Sequence, residues 1–309
     1  MSDQPEFSDP TEIRHVIGAA GSFSLHNISG DISLRGVDGD EVVVRARSER
    51  GRGDWLPLVV RRGDGSLSIE IEQRGPLLFG LGWRHVPGIE FDVTLPRGAR
   101  VEINAVSSDV QANGLVGEQE YRTVSGDVSL EREGGRVALT TVSGDVRLLA
   151  HELVEPRVST TSGDVEIVAP QIRALSLSTV SGDAELRGAF DAGAYHTVAT
   201  VSGDVEIMAE SGLTVEVKRG IDLSGNGGRQ RVVGDGAARL RFRSLSGDLE
   251  LSGERPQPAG RAMPPAPPEV PQAPRPTQPN SLEILQALER GEIDVEEAAR
   301  RLEGAGSHG

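Results

Sequence analysis

The side chains in this chain that could do chemistry are carboxylates set out in a row. Aspartate occupies positions 109, 127, 145, 164, 183 and 204, at intervals of 18 to 21 residues and each time just after a Ser-Gly or Ser-Ser pair. Regularly spaced oxygen donors bind calcium in glycine-aspartate β-rolls, and carboxylates held close together perform general acid–base catalysis. Asp127, Asp145, Asp164, Asp183 and Asp204 are therefore calcium candidates, but the chain has no Gly-Gly-x-Gly run and offers one carboxylate per repeat. The simpler reading is a solvated turn aspartate, with no metal and no cofactor. Two like charges about 5 Å apart repel by about 1 kcal/mol in water, so such a row must be hydrated, bonded to backbone donors or neutralised by cations.

Other chemistries are excluded more directly. The chain has no cysteine, which removes disulfides and thiolate chemistry. Lys218 is the only lysine and follows no glycine loop, which removes a Walker-type phosphate site. The six histidines have no metal-ligand spacing. Gly304-Ala305-Gly306-Ser307-His308-Gly309 matches a dinucleotide fingerprint in letters alone, since it ends the chain with no strand before it or helix after it. One carboxylate per repeat is also unlike the irregular carboxylate cluster of a polysaccharide hydrolase, so the expected protein is not an enzyme.

A repeat positions the aspartates. Ser125-Gly126-Asp127 recurs as Ser143-Gly144-Asp145, Ser162-Gly163-Asp164, Ser181-Gly182-Asp183, Ser202-Gly203-Asp204 and Ser246-Gly247-Asp248. Ser29-Gly30-Asp31 and Ser107-Ser108-Asp109 are near matches, and Leu223-Ser224-Gly225-Asn226 is a decayed copy that would add Asn226 to the row before Asp248. Apolar residues flank each copy at alternate positions, as Val137 and Leu139 before one corner and Val146 and Leu148 after it. Val142, Val180 and Leu245, next to the serine, break that alternation and predict a bend or bulge before the corner. Each repeat reads as strand, Ser-Gly-Asp corner, strand and return loop. Five or so apolar side chains cannot bury their own face, so the copies must stack about 4.8 Å apart. The fold class is mainly β, a single-stranded β-solenoid (β-helix) with about eight coils of 18–22 residues. Glycine tolerates positive φ at the corner, and Ser and Asp can bond neighbouring backbone N–H groups.

Along the chain, residues 1–10 read as a disordered N-terminus and 11–105 as N-terminal β coils and a meander capping the solenoid. The Ser-Gly-Asp solenoid follows at 106–253. Within the cap, Leu77, Leu78, Phe79, Leu81 and Trp83 sit in a glycine-rich loop, either folded over the rod end or exposed as a partner or peripheral membrane contact. Arg239, Arg241 and Arg243 alternate with Leu240 and Phe242, so they project outward, either solvated, paired with glutamates or open to an anion. Residues 254–280 hold ten of the 18 prolines and form a spacer. Residues 281–303 read as a two-helix hairpin: Leu282, Leu285 and Leu288 make one stripe, Gly291 a stop, and Ala298 and Leu302 a second apolar set. Helices this short are marginal alone, so those residues are candidate contacts for a protein partner or self-association. Residues 304–309 are a disordered tail. No run reaches the roughly 18 apolar residues of a membrane span and no signal peptide is visible, which points to the cytoplasm, with association with the envelope left open. The net charge of -15 argues against nucleic acid, and no small-molecule substrate is implied.

The repeated Val-Ser-Gly-Asp-Val coils, the Leu95-Pro96-Arg97-Gly98 step and Asn27-Ile28-Ser29-Gly30-Asp31 resemble the bacterial putative-adhesin family of unknown function over residues 11 to 253. The tail, with Gly291-Glu292-Ile293-Asp294 and Glu297-Ala298-Ala299, resembles the SHOCT-like helical modules that accompany this domain. The resemblance implies a role in cell-envelope stress or assembly rather than catalysis. The expected function is a non-enzymatic scaffold or interaction protein. The competing expectations are a surface adhesin binding glycan or protein along the rod, and a polymerising bactofilin-like cytoskeletal protein.

Overall fold

The computed structural model describes residues 11–48, 56, 58–71, 88–219 and 229–253. Leu77, Leu78, Phe79, Leu81 and Trp83, the decayed copy at 223–226, the proline-rich stretch and the expected helices with Leu282, Leu285, Leu288, Ala298 and Leu302 lie outside the described residues. Within them, alternation in sequence becomes alternation in burial. In β10 (Glu118–Ser125), Gln119, Tyr121 and Thr123 are buried while Arg122 and Val124 are exposed.

The strands that precede corners are β2 (Ser22–Ser29), β8 (Arg100–Ser107), β10, the second part of β11 (Val128–Ser143), the second part of β12 (Val146–Ser162), β14 (Ser176–Ser181), β16 (Tyr195–Ser202) and β20 (Ala238–Ser246). They pair in that order, all parallel, with serines 29, 107, 125, 143, 162, 181, 202 and 246 in register. The strands that follow corners form a second wall: β3 (Ile32–Val37), β9 (Val110–Asn113), the first parts of β11 and β12, β13 (Val165–Ile172), β15 (Ala184–Phe190), β17 (Val205–Ala209) and β21 (Leu249–Gly253). The core lies between the walls, with Val128 and Leu130 or Val165 and Ile167 from one and Val137 and Leu139 or Leu177 from the other, each no more than 2% exposed.

Both ends of the stack are extended by inserted strands. At the amino-terminal end β6 (Ser66–Ile71) runs parallel to β2 and carries β5 (Leu58–Gly63) antiparallel, while β7 (Ile89–Pro96) runs parallel to β3 and carries β4 (Glu41–Ser48) and then β1 (Thr11–Val16) antiparallel. At the other end β18 (Leu213–Arg219) runs parallel to the outer edge of β20, with β19 (Arg229–Val233) antiparallel to it. This corrects the order of the repeats. Ser202 pairs directly with Ser246 and the Asp248 N–H donates directly to Asp204 Oδ1, so no coil separates these two corners.

A second correction concerns the strand just before each corner. No bend occurs there: Leu139 is buried, Thr140 exposed, Thr141 buried and Val142 exposed, so alternation runs through to the serine. Threonine can take the inward place because its hydroxyl is satisfied. Thr141 Oγ1 donates to the carbonyl of Ser143 at 3.2 Å, and Thr123, Thr160 and Thr179 do the same at their own corners. In the first coil Asn27 occupies this place, donating from Nδ2 to the carbonyls of Gly30 and Ile89 and to Ser108 Oγ. The arrangement lapses in the last coils, where Thr200 Oγ1 and Ser244 Oγ are buried without a partner.

The corner itself needs glycine twice over. Gly126, Gly144, Gly163, Gly182, Gly203 and Gly247 have φ between 119° and 130°, which L side chains rarely adopt. A Cβ at Gly144 would lie 2.2 Å from the carbonyl oxygen of Gly126 below it, and the same clash recurs up the stack. Gly144→Ala is expected to destabilise the fold by about 2 kcal/mol or more in urea denaturation; unchanged stability would refute the close packing of corners. The two kinds of threonine should also separate. Thr141→Val should cost about 1 kcal/mol, whereas Thr200→Val, which removes an unpaired buried hydroxyl, should be neutral or stabilising. Equal losses in the two variants would contradict the bonding described.

Candidate functional site

The corners stack into a continuous edge. At each step the backbone N–H of one aspartate donates to Oδ1 of the aspartate in the coil before. Asp127 donates to Asp109, Asp145 to Asp127, Asp164 to Asp145 and Asp183 to Asp164, each at 2.9 Å. Asp204 continues to Asp183 at 2.8 Å and Asp248 to Asp204 at 2.7 Å. The residue after each aspartate returns a bond to the next corner, as Val128 N–H does to the Asp145 carbonyl at 2.9 Å. One oxygen of each carboxylate thus holds the next coil. The structure therefore brings all the sequence-identified corner residues together, from Ser125, Gly126 and Asp127 to Ser246, Gly247 and Asp248, and gives them a structural task. Among the described residues, no three acidic or histidine side chains converge into a metal-binding group.

Beside the carboxylates runs a groove of about 730 Å³, bounded by the aspartates and by Glu166, Glu185, Glu206 and Glu250 on the outward positions of the second wall. Arg147 answers Glu166 at 3.0 Å. On the other side of the corner stands an aliphatic row. Val106, Val124, Val142, Val180, Val201 and Leu245 are 44% to 59% exposed, and they make up six of the nine exposed large hydrophobic residues among those described. Thr161 takes the corresponding place in the coil between Val142 and Val180. At one residue per coil the row is about 29 Å long. Strict counting of the period of two through Thr141 would have found it; favouring valine over threonine for the interior hid it.

β6 ends at Ile71 on the wall before the corner and β7 begins at Ile89 on the wall after it.

Three groups with displaced proton affinities are internal. Glu133 is fully buried, held at a bulge where Arg132 has φ 56° and the register against β12 shifts. Its Oε2 accepts from the Leu115 N–H at 3.1 Å, and Oε1 has no partner. Burial raises its pKa to about 8, against the nearby Gln119 side chain and the Leu115 and Gly114 N–H groups, which pull it down. Tyr121 donates to Gln119 Oε1 at 2.9 Å, and burial, with the Glu133 charge second, pushes its phenol well above the usual value. His196, 1% exposed, accepts from the Leu175 N–H through Nδ1 at 3.2 Å, which leaves Nε2 to donate to the Asp191 carbonyl at 2.9 Å. Burial lowers its pKa, against the Asp191 carbonyl and charge, and its ring meets Phe190 edge-on at 5.2 Å. Enclosed as they are, these groups tie coils together.

Glu133 gives the fold a pH dependence. The unfolded chain loses this proton near 4.5 and the folded chain near 8, so its contribution is complete below pH 4.5 and is lost as pH rises towards 8. Glu133→Gln should therefore gain melting temperature relative to the parent progressively across that interval and no further above it. A difference independent of pH would mean that the buried carboxyl is ionised throughout.

No curated protein matches the chain. Among solved structures, a putative cell adhesion protein from Clostridium sporogenes is 10% identical, with a TM-score of 0.25, covering 79% of this chain and 100% of its own. A putative lipid binding protein from Parabacteroides distasonis is 11% identical, with a TM-score of 0.39, covering 80% of this chain and 95% of its own. A putative adhesin from Bacteroides fragilis is 9% identical, with a TM-score of 0.29 and coverage of 78% and 97%. Residues 58–220, more than half the chain, match the Toastrack DUF4097 family profile, and the chain belongs to that family.

Proposed function

We propose that the protein is a non-enzymatic β-solenoid scaffold that binds another protein along its corner edge, in the service of bacterial cell-envelope stress or assembly. The observation that carries this reading is the exposed aliphatic row from Val106 to Leu245. A monomer gains nothing from leaving a large apolar side chain in water in six of seven successive coils, and an apolar row of this length marks a contact. The carboxylates beside it give the edge a polar rim, the usual surround of a protein interface.

The rod is read as eight coils, from Ser29-Gly30-Asp31 to Ser246-Gly247-Asp248, followed by a proline-rich spacer and a SHOCT-like helical pair at 281–303 that supports assembly. The working location is the cytoplasm, at the envelope. A pull-down with the full chain, a Val124→Glu/Val142→Glu/Val180→Glu variant and a chain lacking residues 281–309 tests this. The edge variant should melt like the parent and lose the partner, since the changed side chains are already exposed. A partner retained at full strength by the edge variant would defeat the edge as the binding surface, and retention by the truncated chain would remove the helical pair from binding.

A further inference from the structure

The outer face of the wall before the corners is not uniform. In its early coils each arginine has an acidic partner: Arg100 meets Glu118 at 2.5 Å, Arg122 meets Glu102 at 3.4 Å and Arg136 meets Glu155 at 3.5 Å. Exposed Arg157 and small uncharged side chains follow, Ser159, Ser176, Ser178 and Ala199 among them. The face then ends on β20, where Arg239, Arg241 and Arg243 are exposed and alternate with buried Leu240 and Phe242. Their cross-strand neighbours are Tyr195, Thr197 and Ala199 on one side and Thr214, Glu216 and Lys218 on the other. Four cations thus stand against one half-buried acid, Glu216, in a protein whose net charge is -15.

Apolar groups flank this strip at both ends and on the same face. Tyr195, next to Arg239, is 83% exposed, the most exposed large hydrophobic residue described. Leu245 closes the other end of β20 at 59% exposure, with Val201 beside its strand at 44%.

We infer that this end of the face binds an anionic membrane surface. Guanidinium forks pair with phosphate oxygens, and a tyrosine with an apolar body and polar tip belongs at the headgroup level, with Leu245 and Val201 entering the same boundary. A soluble polyanion would use the arginines and leave Tyr195, Val201 and Leu245 in water, so the combination favours a lipid surface. The overall negative charge does not prevent this, because at physiological salt interactions between exposed charges are largely screened beyond roughly 8 Å. The acidic groove belongs to the other wall. This surface shares Val201 and Leu245 with the corner-edge row, but Arg239, Arg241, Arg243 and Tyr195 lie outside that row, so it survives failure of the corner-edge reading.

Sedimentation of the full chain with vesicles provides the test. The protein should bind phosphatidylglycerol-containing vesicles, not pure phosphatidylcholine, and less as salt rises. Arg239→Gln/Arg241→Gln/Arg243→Gln should weaken binding on the order of 100-fold, at about five-fold for each basic side chain near an anionic surface, with unchanged melting. If the triple variant melts early, Arg241→Gln alone should still give the five-fold loss. Tyr195→Ser should lower binding several-fold, and the Val124→Glu/Val142→Glu/Val180→Glu variant should bind like the parent. Absence of binding to anionic vesicles at low salt, parent-like binding by the arginine variants, or tighter binding of soluble polyphosphate with no effect of Tyr195→Ser would each overturn the assignment.

Discussion

The structure depends on how closely one corner sits on the next. Coils that pair like strands must bring their turns to the same spacing, and at that spacing a side chain on the middle residue would collide with the carbonyl below, as the 2.2 Å approach at Gly144 shows. Glycine removes the obstacle, and the aspartate after it supplies the register. Its Oδ1 takes the next aspartate's N–H while the following residue's N–H returns a bond to the next aspartate's carbonyl. A slip of one residue would break both bonds and turn every inward side chain outward. The same bonds make a row of like charges tolerable, because each carboxylate faces a backbone donor as well as its charged neighbours.

Once that register is fixed, the rest of the molecule follows by translation. Whatever side chain one coil directs outward, the next directs outward above it, so single residues become rows: aspartates, the glutamates of the groove, and the exposed valines. The core is shallow and repetitive for the same reason, Val-Leu and Val-Ile pairs from one wall meeting Val and Leu from the other. It does not need aromatic bulk, which is why a chain with 3% aromatic residues can be folded through most of its length. A translated stack has two open ends, and both carry inserted strands: β5, β6, β7, β4 and β1 at one, β18 and β19 at the other.

The repeat was legible because its determinants are local. Glycine at positive φ and aspartate as a turn acceptor are requirements of the corner itself, so they recur in the sequence wherever the corner recurs. The orientation of Val142 was not legible in the same way. Hydrophobicity places valine inside, and only the hydrogen bond from Thr141 to the Ser143 carbonyl makes threonine the better interior residue. The copy at Ser224 misled for a different reason: similarity to the corner does not determine which strand pairs with β16, and the partner is β20. Glu133 was hidden because an inward glutamate depends on a bulge at Arg132 and on Gln119 and Leu115 from another coil. The last two are settled by partners distant in sequence, where a single repeat carries no information.

Repetition also limits what such a surface can recognise. A row that presents the same side chain in every coil offers a partner many equivalent registers, which favours avidity over a unique position. Uniqueness must come from the coils that depart from the pattern. Ser108 replaces the corner glycine in one coil, and Thr161 interrupts the aliphatic row in another. The last coil departs most: β20 carries arginine at three successive outward positions where β16 carries Tyr195, Thr197 and Ala199. A partner reading the edge can slide along the valines but not past Thr161, and a charged surface can engage only the β20 end. The rod thus has a direction as a binding object even though its backbone nearly repeats, and that direction is set by a few departures from the repeat that builds it.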